Sequence, residues 1–158
     1  ALFIPRENLR DGLTIFIALL TFANLAYFVA KLLWPIFAVG QALQIVSIPL
    51  VDNVALTFVL EPLGTLFALV ATLLWFLTSI YCVGYMRANA EKNLPRFYAF
   101  FALSIFATLG IAFSGNLLTL FIFYEMLTLV TFPLVAHHGT PKARAAGKLY
   151  LAMLLGTS

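Results

Sequence analysis

Long uncharged stretches alternate with short polar breaks along this chain. The first uncharged run, Gly12 to Ala30, lies between Asp11 and Lys31 and extends to Trp34, where Pro35 stops it. About 20 apolar residues at 1.5 Å each cross a hydrocarbon core of roughly 30 Å. The same reading places further spans at 62–86, 95–113, 116–136 and from 141 onward. Pro62, Pro95 and Pro141 suit first helical turns, where a missing N–H costs nothing. Ser114-Gly115-Asn116 and His137-His138-Gly139 are the polar turns between the later spans. The stretch Pro35–Glu61 reads differently. It holds Gly40, Pro49, Asp52 and Asn53 among β-branched residues, and predicts two short strands, Leu43–Leu50 and Val54–Leu60, around a turn at Asp52-Asn53. The expected fold is therefore an all-α integral membrane domain over residues 1–158. It has about five transmembrane helices, with a short external β-hairpin between the first and second.

Composition removes the alternatives. Hydrophobic residues make up 63% of the 158 and charged residues 9%, against roughly a quarter charged in soluble domains. Such a chain cannot coat a water-facing surface. The charges sit asymmetrically. With loops alternating sides, Arg6, Arg10, Arg87, Lys92, Arg96, Lys142 and Arg144 fall on one side and Lys31 alone on the other. Positive charge marks the cytoplasmic face, so the hairpin is expected outside, and the setting is a bacterial cytoplasmic (inner) membrane. The single Cys82 rules out a disulfide framework or a thiol metal site. No phosphate-binding loop, dinucleotide fingerprint or catalytic triad is present, and the short charged loops make no nucleic-acid patch. No cofactor and no metal are expected. The chain opens on Ala1, and a piece of a longer protein is the expectation.

One ionisable residue lies deep in a span. Glu125 is the tenth residue of 116–136, near the bilayer midplane, where a charged residue costs roughly 2.5–3.5 kcal/mol on insertion scales. The helix bears that cost only if the carboxyl is neutral, paired or wet. Intramembrane carboxylates mark ion and proton paths; the competing reading is a buried hydrogen bond that locks packing. Lys148 is the second candidate. Glu125 lies about 16 Å from the turn at Ala136 and Lys148 about 10 Å from Pro141, so the two differ in depth by about one helical turn. The competing reading is a lysine snorkelling to the interface. Thr128 shares the face of Glu125 and is a candidate relay, although a threonine that bonds its own backbone is the simpler account. Pro133 should kink the helix. His137 and His138 are further relay candidates, because imidazole is the side chain suited to passing protons at physiological pH; being adjacent, they point apart and suit no shared haem or metal. Glu61 reads as a helix-start acid.

The run Phe121-Ile-Phe-Tyr-Glu-Met-Leu-Thr-Leu-Val-Thr-Phe-Pro-Leu-Val135, followed by His-His-Gly-Thr, resembles the antiporter-like membrane subunits. So do Glu61-Pro-Leu-Gly64 and Ile80-Tyr-Cys-Val-Gly-Tyr-Met86. That family is shared by Mrp-type multisubunit cation/proton antiporters, respiratory complex I and membrane-bound hydrogenases; the Tyr-Glu-Met-Leu form is most like the D-type member of the Mrp antiporters. The resemblance implies that Glu125 is the family's translocation glutamate of the fifth helix, so that one helix precedes this stretch. It also implies that Lys148 falls in the sixth-helix lysine region and that the family's seventh-helix lysine lies beyond Ser158. Glu61 departs from the usual aspartate. The implied partners are other membrane subunits, the lipid bilayer, and protons or sodium. The implied activity is ion translocation within a complex, with no enzyme chemistry of the chain's own. A non-transporting anchor of a quinone or hydrogenase redox complex is the alternative. It would need no midplane carboxylate and would favour histidines facing each other across two helices.

Overall fold

A computed structural model describes residues 7–35, 42–51, 54–89, 94–136 and 140–157. Helix α1 runs Glu7–Phe28 and continues through a π-helical turn, Val29–Leu33. Strands β1 (Leu43–Val51) and β2 (Val54–Leu60) follow. Then come α2 (Pro62–Ala88), α3 (Leu94–Ala112), α4 (Leu117–Val135) and α5 (Pro141–Thr157). Among the described residues, four helical segments are long and apolar enough to cross a membrane: Asn8–Lys31, Pro62–Ala88, Leu94–Ala112 and Leu117–Val135. The fifth helix carries a shorter apolar stretch, Ala145–Gly156. The chain is a multi-pass, all-α membrane protein with one small hairpin, as the pattern of apolar runs predicts.

The first helix starts at Glu7, five residues before the expected start at Gly12. The charge in its first turns does not end the helix, because it is neutralised inside the protein: Asp11 and Arg10 turn inward and pair with each other. The hairpin is antiparallel, Leu43 opposite Leu60 and Val51 opposite Val54, with irregularities at Gln44/Val46 and Pro49/Val51. Pro49 cannot donate to a ladder and sits where the register shifts, the position a strand proline tolerates.

Packing is inverted relative to a soluble bundle. The buried residues of α2 are Thr65, Ala68, Thr72, Trp75, Ser79 and Met86, spaced mostly three and four apart. The exposed ones include Leu63, Leu66, Phe67, Leu74 and Leu77. Lipid is as apolar as leucine, so the helices meet through small residues that let backbones approach. Gly64 lies against the Ala112 carbonyl of α3, and Gly110 of α3 faces the ring of Phe123 on α4. A side chain at either glycine would fill space already taken. Three buried hydroxyls of α2 and α3 bond within their own helix: Thr72 to the Ala68 carbonyl at 2.8 Å, Ser79 to Trp75 at 2.7 Å, Ser104 to Phe100 at 2.8 Å. In the absence of water this is how a hydroxyl is satisfied.

On its outer side β2 is joined to the α3–α4 turn. The Val59 amide donates to the Phe113 carbonyl at 2.9 Å and the Gly115 amide to the Thr57 carbonyl at 2.8 Å. The hairpin is thereby tied to the helix that carries Glu125.

Candidate functional site

Glu125 lies eight residues from the start of α4 and ten from its end, close to the middle of the helix. The side chain is half-buried, and its Oε1 is buried with no hydrogen-bond partner among the described residues. Neither of the two ion pairs among the described residues involves it. Two residues earlier, Phe123 is wedged edge-on between Phe58 of β2 and Phe106 of α3, at 5.6 and 5.9 Å between ring centres. Residues two apart on a helix point to roughly opposite faces, so this aromatic contact packs the side of α4 away from the Glu125 carboxyl. The local arrangement is a half-buried carboxyl, mid-helix, with one buried oxygen unpartnered among the described residues.

Thr128 is buried and donates to the Tyr124 carbonyl at 3.2 Å, within its own helix. It shares a face with Glu125 without being bonded to it. Lys148 is exposed on α5. Its neighbour Gly147 lies against Phe132 and Ala136 of α4, at 3.1 and 3.4 Å from a Cβ placed there. Phe132 is seven residues past Glu125, which leaves roughly 9 Å of axial distance between Lys148 and Glu125 after the one-residue step from Gly147. The separation is nearly two turns where loop-to-residue counting gives one. The helices dock through the glycine, and the docking sets the depth. The structure does not bring the pair together. His137 and His138 lie outside the described residues.

A second charged cluster, without a counterpart among the candidates drawn from the sequence, closes the arginine-rich end. Asp11 is 2% exposed and Arg10 5%. Asp11 Oδ1 accepts from Arg10 Nε at 3.3 Å; its Oδ2 accepts from Arg87 Nε at 2.9 Å and Nη2 at 2.6 Å. Arg87 also donates to Asn8 Oδ1 at 3.0 Å. The Arg10 guanidinium stands 5.9 Å from the ring of Tyr98 on α3. The cluster fastens α1 to α2 and α3. The available signal was Asp11 itself, an acid among the basic residues of that side.

Residues 50–98 match the family model described as "NADH-Ubiquinone oxidoreductase (complex I), chain 5 N-terminus". That match covers the hairpin's second strand, α2 and the start of α3, and stops short of Glu125. A relative from Rhizobium meliloti (strain 1021), named as the A/B component of a probable K(+)/H(+) antiporter, is 30% identical over 156 residues, 97% of this chain and 15% of the relative. Over nearly its whole length the chain is similar to an antiporter-like membrane subunit. A "Putative antiporter subunit mnhA2" of Staphylococcus haemolyticus (strain JCSC1435) is 30% identical over 111 residues, 70% of this chain and 14% of the relative. The same-named protein of Staphylococcus aureus (strain JH9) is 30% identical over 93 residues, 58% of this chain. These relatives carry A2 or A/B names rather than the D-type name expected from the Phe-Tyr-Glu-Met-Leu-Thr-Leu run at 123–129. The chain spans about one-seventh of the length of the curated relatives it matches.

Proposed function

We propose that this chain is part of a cation- or proton-translocating subunit, working beside other membrane subunits in a bacterial cytoplasmic membrane, and that Glu125 is the residue its ion movement uses. The observation that carries this reading is the Glu125 carboxyl, placed mid-span with one buried oxygen unpartnered among the described residues. An uncompensated charge at that depth is costly, so the group is stable when it holds a proton or faces a cation, and it exchanges one for the other as its surroundings change. That is the behaviour a translocation step requires. The bacterial relatives named as antiporter subunits support the transport reading. Proton translocation coupled to redox chemistry would come from the assembly around it.

The test is Glu125→Gln in the complete assembly. The amide keeps the shape and hydrogen-bonding capacity but cannot ionise. Assembly is expected at the normal level and transport at background. Transport at the normal rate would show that the carboxyl serves packing only.

A further inference from the structure

Glu125 needs a fixed depth, and the contacts that set it lie at the hairpin end of its helix. Asn116, the residue before α4, makes four hydrogen bonds with one amide group. Its Oδ1 accepts from the Thr119 amide at 2.8 Å and from Thr119 Oγ1 at 2.6 Å. Its Nδ2 donates to the Ala55 carbonyl and to Thr57 Oγ1, both at 2.7 Å. Thr119 Oγ1 in turn accepts from the Thr57 amide at 2.9 Å, and Thr119 is fully buried. The other side-chain hydrogen bonds found on α4, from Thr128 and Thr131, stay within the helix. Apolar contacts along α4, such as Phe123 against Gly110, leave the helix free to slide by fractions of an ångström, because apolar attraction is non-directional. The hydrogen bonds to β2 have a preferred length and angle.

The geometry points to Asn116, with Thr119, as the positioning pair that sets the axial register of Glu125 from the external hairpin. The inference rests on the translocation role of Glu125. Asn116 stands nine residues from Glu125, about 13.5 Å along a helix that transmits an axial shift without loss. Positioning errors near 1 Å cost up to about a hundredfold in rates that depend on reacting geometry.

Asn116→Asp separates capping from tying. Aspartate still accepts from Thr119 and still caps the helix, and the Thr57 hydroxyl can turn to donate to it, but it cannot donate to the Ala55 carbonyl and faces that oxygen with a like charge. Thr119→Val removes the hydroxyl, and Thr119→Ser restores it. Each is placed in the complete assembly. The readouts are transport against cation concentration and the bilayer depth of a spin label at position 121, in a Cys82→Ser, Phe121→Cys background. Asn116→Asp and Thr119→Val are expected to shift the label's depth and to lower the maximal rate by about threefold or more. Thr119→Ser is expected to restore both. Unchanged depth with an unchanged rate in either disrupted variant overturns the positioning role, and so does loss of assembly that Thr119→Ser fails to rescue. The label keeps the two readings apart. If Glu125→Gln still transports normally while Asn116→Asp moves the label, the translocation reading fails and the tie stands. If Glu125→Gln is inactive and the label does not move, the tie alone fails.

Discussion

Removing Asp11 should destabilise the chain more than removing Arg87, its half-exposed neighbour, and the structure says by how much. Asp11 is 2% exposed and serves two guanidinium groups. Asp11→Ala strands Arg10 in a site where that arginine is 5% exposed and its buried Nη2 has no hydrogen-bond partner among the described residues. Breaking a buried pair from one side costs about 3–5 kcal/mol. Arg87 escapes that cost, because its side chain is 45% exposed and can swing to water. The expectation is therefore the lower end, about 3 kcal/mol. Arg87→Ala leaves Asp11 with Arg10 and loses three hydrogen bonds, an exposed one to Asn8 and two to the buried Asp11 carboxylate, of which the latter two account for about 2 kcal/mol. The double substitution again strands only Arg10 and should cost little more than Asp11→Ala. The cycle should thus show coupling of about 2 kcal/mol. Replacing Arg10 and Asp11 together by Met and Leu should recover most of the loss, because an apolar pair has no charge to desolvate. The assay is equilibrium unfolding of the purified protein in micelles with increasing SDS, followed by tryptophan fluorescence. Additive losses, or an Asp11→Ala cost under about 0.5 kcal/mol, the usual range for an ordinary surface substitution, would refute the claim that the cluster fastens three helices.

Gly110→Val should push the Phe123 ring out of its place between α3 and α4 and cost about 1–3 kcal/mol in the same unfolding assay, whereas Gly84→Val, with open space around it, should be nearly neutral. Glu125→Asp keeps the charge on a stem one methylene shorter, and partial transport is expected in the complete assembly, measured beside Glu125→Gln.

What the sequence disclosed and what it hid divide along physical lines. Apolar length is a one-dimensional property, so the spans at 62–86, 95–113 and 116–136 are legible to within two residues at each end, as are the strand limits of the hairpin. Charge beside a span reads as a boundary, which is right near Lys31 and wrong for Asp11. Whether a charged residue ends a helix or is neutralised inside the bundle depends on a partner 76 residues away. The depth of Lys148 escapes sequence counting for a related reason. Counting from the turn treats helices as equal rods, whereas the Gly147 contact with Phe132 and Ala136 sets where α5 rests. Asn116 is legible as a turn residue. Its bonds to the hairpin are not, since β2 is some 60 residues earlier in the chain. Glu125 stands out because a lone carboxylate in an apolar run is conspicuous, and its unpartnered oxygen is what a lone carboxylate should have.

Pro133 divides α4 into two parts. Helix α4 continues through it to Val135, but proline has no N–H, so the Leu129 carbonyl loses its helical partner and the backbone there is softened. On the hairpin side of the proline, Glu125 belongs to the segment held by Gly110, Phe123 and β2. Beyond the freed Leu129 carbonyl, Phe132 and Ala136, one on each side of the proline, carry the contact with Gly147, the neighbour of Lys148 on α5. The roughly 9 Å of axial distance between Lys148 and Glu125 thus spans the softened point. Bending there alters the distance between the cation and the carboxyl while leaving the outer half in register. Pro133→Ala restores the missing bond and stiffens the join. The variant should be more stable in SDS unfolding by about 1 kcal/mol, the net value of one hydrogen bond. In the complete assembly it should transport more slowly, because the inner segment no longer bends at low cost. Greater stability with undiminished transport would show that α4 works as a single rigid rod and that the proline plays no part in moving ions.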